Sequence, residues 1–204
     1  MSTSGQETEA KFYVRDLSKI KSRLKELGAR LVQERTLETN IRFDLPGSPL
    51  RSQGRVLRLR RDTSTKFTYK SAGTNEEGVL SREEIEFGVD DFQKAKRFLE
   101  ALGYEKLVYY EKYRTTYELK DTLIMLDELP YGDFVEIEGD TVDAIRVIGD
   151  QLKLNWDAAI ATSYTALFDR ARKALNLSIP DLSFAEFADI NVEAADLGVV
   201  AADA

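Results

Sequence analysis

The chain has 204 residues, 43% of them apolar, and a formal net charge of −7. This length can bury one sizeable core, and a single domain is the default for it. The sequence contains no Cys and no His. This excludes disulfides, thiolate metal sites, cysteine nucleophiles, Ser-His triads and most zinc sites. Any catalysis therefore uses carboxylates, Lys, Tyr or a hard metal ion held by oxygen ligands.

The negative charge is concentrated near the C-terminus. Residues 178–204 contain six acidic residues and no Lys or Arg, so the preceding part is nearly neutral. We therefore divide the chain into a domain at 1–177 and an acidic tail at 178–204. The net charge argues against a nucleic-acid partner. No secretory signal and no stretch long enough for a membrane span is visible, so we expect a cytoplasmic protein without membrane contact.

Alternation of polar and apolar residues predicts about eight strands, mostly antiparallel because short turns join them. They cover residues 6–14, 31–44, 53–61, 66–71, 80–88, 106–119, 123–129 and 134–139. Four amphipathic helices are predicted. One follows Asp16, one follows Asp90 or Asp91, and the others occupy residues 141–152 and 157–175.

The chain contains an internal repeat. A shift of 75 residues superimposes the first strand and helix on a later pair, with Glu9 on Glu84 and Asp16 on Asp91. Two matched units are too few for a solenoid, so the repeat predicts two halves of one domain.

The polar face of the predicted strands is built almost wholly of Arg, Lys and Glu. Such a sheet either lies open with its charges in water or closes so that the charges line a lumen. The open sheet becomes less favourable as strands accumulate, because solvent-facing strands favour mixed polar residues and closure removes sheet edges. Burying so many charges without a ligand is costly, so a lumen of this kind predicts a polyanion and divalent cations.

Six motifs in order, over about residues 5–140, resemble the CYTH superfamily of triphosphate tunnel metalloenzymes. They are Glu7-x-Glu9-x-Lys11, Leu57-Arg58-Leu59-Arg60, Phe67-Thr68-Tyr69-Lys70, Arg82-x-Glu84-x-Glu86, Glu111-Lys112-x-Arg114, and Asp127 followed by the segment from Gly132 to Glu138. Within the superfamily the chain is most similar to the class IV adenylyl cyclase and thiamine-triphosphatase branch.

The resemblance implies an α+β fold: a closed eight-stranded antiparallel β-barrel, the triphosphate tunnel, with a charged lumen and flanking amphipathic helices. It implies Mg²⁺ or Mn²⁺ as cofactor. The implied metal ligands are Glu7, Glu9, Asp127, Glu136 and Glu138, and the implied catalytic residue is Lys11. The implied substrate-binding residues are Arg58, Arg60, Lys66, Lys70, Arg82, Lys112 and Arg114.

The resemblance leaves three functions open. A class IV adenylyl cyclase converts ATP to cyclic AMP and pyrophosphate. A triphosphatase hydrolyses inorganic triphosphate, thiamine triphosphate or a nucleoside triphosphate. A third alternative is a polyphosphate- or nucleotide-binding module without turnover. In some hydrolytic members a Tyr on the second strand pairs with the motif lysine, whereas residues 38–44 of this chain contain no Tyr. The oligomeric state is also open, a homodimer included.

Two regions outside the motifs carry their own predictions. Tyr164 is interpreted as a packing residue. The tail is interpreted as a mobile or weakly docked terminus. The alternative is that it closes one mouth of the tunnel with its acidic side chains facing the basic lumen, in which case deleting residues 179–204 changes activity or metal dependence.

Overall fold

The computed structural model describes residues 5–203. Its strands are β1 (Gln6–Val14), β2 (Arg30–Asp44), β3 (Val56–Arg61), β4 (Thr65–Lys70), β5 (Thr74–Glu76), β6 (Val79–Gly88), β7 (Glu105–Leu119), β8 (Thr122–Leu129) and β9 (Gly132–Glu138). Its α-helices are α1 (Leu17–Glu26), α2 (Pro49–Ser52), α3 (Phe92–Ala101), α4 (Val142–Gln151), α5 (Tyr164–Ala174) and α6 (Ala194–Leu197). A 3₁₀ turn occupies Trp156–Ala158.

Eight of the strands form a closed antiparallel barrel in the order β1-β9-β8-β7-β2-β3-β4-β6, and pairing of β6 with β1 closes the circle. The predicted closed α+β barrel is therefore confirmed. The short strand β5 pairs with the first half of β6 and lies outside the barrel. The sequence analysis placed residues 73–78 in a loop and did not predict this strand.

The internal repeat forms the closing seam of the barrel. Strands β1 and β6 are direct neighbours, with Glu7 opposite Arg82. The helix after each strand starts at an aspartate whose side chain accepts hydrogen bonds from the first-turn amides: Asp16 caps α1 and Asp91 caps α3. The structure thus selects Asp91, not Asp90, as the second cap.

Alternation along the strands separates an apolar outer face from a charged inner face. Outward residues of β1, β8 and β9, such as Phe12 and Ile137, pack under α1 and α4. Outward residues of β2, β3 and β4 pack under α3. A third cluster is different, because its strand residues share the inner face with the charges: Tyr110 and Phe134 pack against Leu167 and Phe168 of α5. Helix α5 therefore closes one end of the barrel.

The helix predicted over residues 157–175 is wrong in its first third. After the 3₁₀ turn the chain runs extended, since the amide of Ile160 donates to the carbonyl of Lys11 at 2.8 Å and Ala159 forms a bridge with Phe12. Pairing with β1 outweighs the local helical pattern there. Helix α5 begins only after Ser163, whose hydroxyl accepts from the amide of Ala166.

The tail is packed against the barrel, and its interpretation as a mobile or weakly docked terminus is wrong. Leu182 and Leu197 are fully buried in the cluster that contains α5. The backbone of Leu182 bonds to Tyr109 and Glu111 on the edge of β7 that extends beyond β8. The Asp203 carboxylate accepts from the amides of Arg15 and Asp16.

The tail covers the end of the barrel that α5 closes, but the contacts of its acidic side chains lie outside the lumen. Asp181 binds Lys106 at 2.8 Å, and Glu193 and Asp196 cap α6. Residues 1–4 of the domain and residue 204 of the tail lie outside the part of the chain that the structure describes. No helix within residues 5–203 has the length and apolar character needed to cross a membrane.

Candidate active site

The barrel lumen contains every side chain that the sequence analysis assigned to a site. All thirteen lie on the inner face of their strands, as the ladder registers and ion pairs show. The barrel brings them together because seven of its eight strands contribute one to three of these residues at alternate positions. Side chains of Arg, Lys, Glu and Asp thus form a continuous charged lining of the lumen.

Around the closing seam, cations and carboxylates alternate. The ammonium of Lys70 bonds to Glu7 and lies 2.9 Å from Glu84. The guanidinium of Arg82 contacts Glu7 at 3.0 Å and Glu9 at 3.4 Å. Burial lowers the pKa of Lys70, but Glu7 and Glu9 outweigh this effect and hold it above its ordinary value. Lys70 therefore remains charged in the lumen.

Next to this seam the carboxylates are in excess. Glu9 and Glu138 are direct cross-strand partners, which is unfavourable for like charges. Burial raises the pKa of Glu138 to about 7, with repulsion from Glu7, Glu9 and Glu84 adding to it against the opposing effect of Lys70. A divalent cation would relieve this repulsion, and carboxylate oxygens are its preferred ligands. The donor set therefore fits Mg²⁺ or Mn²⁺.

The acidic side chains of the lumen are not arranged around a common metal-binding point. Within residues 5–203 no three acidic side chains converge at metal-binding spacing. Glu7 and Glu9 turn toward Arg82, and Glu136 turns toward Lys11 at 3.1 Å and toward Arg114. These three carboxylates are thus paired with cations of the lumen.

Asp127 occupies the centre of the deepest charged cluster and is fully buried. Its carboxylate accepts two bonds from Arg114, both at 2.6 Å, one from Lys112 at 2.9 Å and one from the Tyr164 hydroxyl at 2.8 Å. These donors engage both oxygens. The resemblance assigned Asp127 to the metal site; in the structure both of its oxygens accept from these side chains, two of which the resemblance assigned to substrate binding.

Tyr164 packs in the buried cluster around α5, as interpreted from the sequence, and it also lies at the floor of the lumen. Its ring packs against Phe134, and the ammonium groups of Lys11 and Lys112 lie 4.4 Å and 5.0 Å from its centroid. Burial and the charge of Asp127 raise the pKa of Tyr164 well above its ordinary value. The hydroxyl therefore stays protonated and donates to Asp127.

Glu38 and Glu86 connect the remaining cations. Glu38 lies 3.8 Å from both Arg60 and Lys112. Burial raises its pKa, but the surrounding cations, Lys112 first among them, hold the pKa well below its usual range. Glu86 contacts Lys66 at 2.8 Å and Arg60 at 3.2 Å.

Two guanidinium nitrogens of the lumen have no hydrogen-bond acceptor among the described residues. They are the buried Nε atoms of Arg42 and Arg58, whereas the Nε atom of Arg60 has the Asp62 carboxylate at 3.5 Å. A buried donor without a partner is unfavourable by about 1–3 kcal/mol. A guanidinium fork with a free N–H is suited to bind an oxyanion. The lumen thus has unused capacity for a ligand rich in phosphate oxygens.

The structure adds Glu38, Arg42 and Tyr164 to the predicted residues. Glu38 and Arg42 belong to an alternating series on β2 in which Ile41 and Phe43 face outward. That alternation was a usable signal in the sequence. For Tyr164 the signal was the Ser163-Tyr164 pair that accompanies the CYTH motifs in the sequence, but its place in the lumen depends on the packing of α5 against distant strands.

Three comparisons with known proteins relate this architecture to others. A curated protein of Methanocaldococcus jannaschii, named provisionally as an adenylate cyclase, is 28% identical over 134 residues, which is 65% of this chain and 75% of the relative. A solved structure from Vibrio parahaemolyticus, also provisionally an adenylate cyclase, has a TM-score of 0.72 at 21% identity and covers 81% of this chain and 99% of its own.

A solved structure from Hippeastrum, described as an adenylyl cyclase candidate with a dominant triphosphatase activity, has a TM-score of 0.59 at 20% identity. It covers 80% of this chain and 95% of its own. At these identities the two solved structures establish the likeness of fold. The family model for the CYTH domain matches residues 5–157, which include all nine strands and the first four helices. The chain therefore belongs to the CYTH domain family.

Proposed function

We propose that the protein is a divalent-metal-dependent enzyme that binds a triphosphate in the barrel lumen and acts on it as an adenylyl cyclase. The observation that carries the proposal is the set of unpaired guanidinium donors inside a closed lumen. The lumen can exchange its internal ion pairs for phosphate contacts, because each carboxylate that releases a cation becomes free to bind a metal ion.

The metal-binding residues in this proposal are Glu7, Glu9, Glu136 and Glu138. The direct opposition of Glu9 and Glu138, and the raised pKa of Glu138, support this choice. When bound, Mg²⁺ or Mn²⁺ supplies positive charge to the phosphate oxygens and lowers the pKa of an attacking hydroxyl. Asp127 has a supporting role, since its oxygens already accept from three side chains.

The cations of the lumen bind and orient the triphosphate. Arg58, Arg60, Arg82 and Arg114 provide forked donors, and Lys66, Lys70 and Lys112 provide point charges. In the cyclase reaction the ribose 3′-oxygen forms a bond to the α-phosphorus, the bond from that phosphorus to the bridging oxygen breaks, and pyrophosphate leaves. The same cations stabilise the charge that develops on the leaving group.

The alternative is a triphosphatase, in which a water attacks a terminal phosphorus and the lumen holds the rest of the chain. One observation favours it. Lys11 lies over a tyrosine ring, that of Tyr164 from α5, although the second strand contributes no Tyr. Lys11 is also held by Glu136 and by the carbonyl of Thr162 at 3.2 Å, which places its ammonium among the phosphate-binding residues.

One product assay separates the candidates. Purified protein is incubated with ATP, inorganic triphosphate or thiamine triphosphate, each with Mg²⁺ or Mn²⁺. Cyclic AMP and pyrophosphate from ATP support the cyclase, whereas orthophosphate supports the triphosphatase. Binding of these triphosphates without formation of any product would support the non-catalytic binding module and refute the proposal that the protein is an enzyme.

A matched pair of variants tests the metal site in the same assay. Glu9→Gln removes a charge from the lumen face of β1 and is expected to abolish turnover. Glu83→Gln removes the same charge from the outer face of β6 and is expected to leave turnover unchanged. Normal activity of the double variant Glu7→Gln/Glu9→Gln would rule out the metal assignment.

A further inference from the structure

Arg42 is a cation of the lumen that no sequence motif identified. It lies on the inner face of β2, directly opposite Arg58 on β3 and Val108 on β7. One nitrogen of its guanidinium donates to the Thr165 hydroxyl at the start of α5. The side chain therefore reaches across the lumen to the end wall.

Arg42 differs from the other lumen cations in having no acidic partner. Each cation of the proposed substrate-binding set, and Lys11, lies within 4.0 Å of at least one carboxylate oxygen. Among residues 5–203, no carboxylate oxygen comes within that distance of Arg42. Its nearest charged neighbour across the ladder is another guanidinium, that of Arg58. The α5 end of the lumen thus has an uncompensated positive charge.

The surroundings of Arg42 make this charge unfavourable in the absence of a ligand. Burial lowers the pKa of Arg42. Tyr110 opposes this effect, but the positive charges of Arg51, Arg58 and Arg82 add to it, and the pKa stays below its ordinary value. The Nε atoms of both Arg42 and Arg58 are buried and without a hydrogen-bond acceptor. Among the described residues the Arg42 guanidinium has the Thr165 hydroxyl as acceptor but no carboxylate, unlike that of Arg114, which has Asp127.

The end wall adds further donors for an anion. Thr165 contacts the hydroxyl of Ser163, which is the N-cap of α5. The positive end of this 11-residue helix therefore lies beside the Arg42 guanidinium. On the other side, Arg58 contacts Thr68 at 3.2 Å and the Tyr110 hydroxyl at 3.5 Å. The two arginines are cross-strand neighbours, and Arg58 has Glu86 at 3.9 Å as its acidic partner.

We propose that Arg42 and Arg58 form a subsite for a phosphoryl group at the α5 end of the tunnel. The proposal rests on the proposed function, because the occupant is one end of the same triphosphate. Arg42 is then a specificity-determining residue: it favours a phosphate chain long enough to reach the end wall. Two guanidinium forks with free Nε–H groups fit a phosphoryl group, which offers several oxygens and more than one negative charge.

The test measures binding of inorganic triphosphate by calorimetry without divalent metal, at constant ionic strength, so that no turnover is required. Arg42→Met is expected to weaken triphosphate binding by about 10-fold or more, the usual effect of losing a charge-assisted hydrogen bond in a buried site. Arg42→Lys retains the charge without the fork and is expected to lose less. Arg97→Met, which removes the same charge from the exposed face of α3, is the matched control and is expected to bind as the wild type does.

Stability separates ligand binding from structural support. Because Arg42 is a buried cation without an acidic partner among the described residues, ligand-free Arg42→Met is expected to melt no lower than the wild type. Its melting temperature is expected to rise less on addition of triphosphate. A clearly lower melting temperature without ligand would assign Arg42 to structural support and refute the subsite. Triphosphate binding within twofold of the wild type would also refute it. A wild-type protein that binds no triphosphate, even after Mg²⁺ is added, would instead refute the proposed function itself.

Discussion

Replacing Asp127 with Asn tests whether the deep ion cluster is as strongly coupled as its geometry indicates. The substitution keeps the size of the side chain and removes its charge. Asp127 is fully buried and accepts from Lys112, Arg114 and Tyr164. Removing one partner of a buried ion pair generally destabilises a protein by about 3–5 kcal/mol, since the other charge remains buried and uncompensated.

The structure places the expected loss at the lower end of that range. After the substitution, Lys112 still has Glu38 at 3.8 Å, and Arg114 still contacts Glu136. We therefore expect a loss of about 3 kcal/mol. For a chain of this length 1 kcal/mol corresponds to about 2–4 °C, so the melting temperature is expected to fall by roughly 6–12 °C.

The assay is thermal unfolding by circular dichroism at neutral pH, with Asp169→Asn as the control. Asp169 binds Arg51 at the surface, where both side chains are more than one third exposed, and such pairs contribute about 0–1 kcal/mol. Asp127→Asn should therefore melt well below both the wild type and the control. A melting temperature within about 2 °C of Asp169→Asn would refute the coupled cluster.

Three further predictions concern stability. Glu38→Gln leaves buried Lys112 and Arg60 without one carboxylate each and should destabilise the protein by roughly 3 kcal/mol in urea unfolding. Tyr164→Phe removes the hydrogen bond to Asp127 and should lower stability by about 1.5–3 kcal/mol, with a smaller effect in the Asp127→Asn background. Burial and the charges of Glu128 and Asp16 raise the pKa of Asp133 to about 6, so the folded protein favours the protonated carboxyl. The contribution of Asp133 to the free energy of unfolding is therefore fully present below pH 4 and is lost as the pH rises through 6. Asp133→Asn should therefore stabilise the protein at pH 8 by about 1 kcal/mol, after allowance for its partial exposure.

Each of these has a result that would contradict it. Unchanged urea stability of Glu38→Gln would mean that the cations are satisfied by other groups. Equal effects of Tyr164→Phe in the two backgrounds would separate Tyr164 energetically from Asp127. For Asp133, the exposed Asp140→Asn is the control. A gain at pH 8 that persists at pH 4, or that Asp140→Asn reproduces, would assign the effect to bulk charge.

Alternation was sufficient to predict the barrel wall. Residues such as Arg58 and Glu136 face the lumen because a strand places every second side chain on the same face. The same rule covers Glu38 and Arg42, whose alternation with Ile41 and Phe43 is visible in the sequence. Their roles could not be predicted from spacing, since they depend on the neighbours that the barrel brings opposite them. Arg42 is distinctive because its cross-strand neighbour is Arg58 and no acidic side chain within residues 5–203 forms an ion pair with it.

Elements that depend on long-range packing could not be predicted from the sequence pattern. Strand β5 has three residues and exists by pairing with the first half of β6. The helical pattern at residues 157–175 was broken because the backbone at Ile160 bonds to β1. The tail has an acidic composition typical of a mobile segment, yet Leu182, Phe187 and Leu197 anchor it to the cluster around α5. In each case a tertiary contact outweighs the local preference.

The central claim is that the charged lumen is a triphosphate-binding metal site. A crystal structure with inorganic triphosphate and Mn²⁺ tests it most directly, because the anomalous signal of manganese locates the metal independently of the phosphates. The account predicts phosphate density between Arg58, Lys70, Arg82 and Arg114, and a manganese peak beside Glu9 and Glu138. Triphosphate bound outside the barrel, or manganese bound away from these carboxylates, would contradict it.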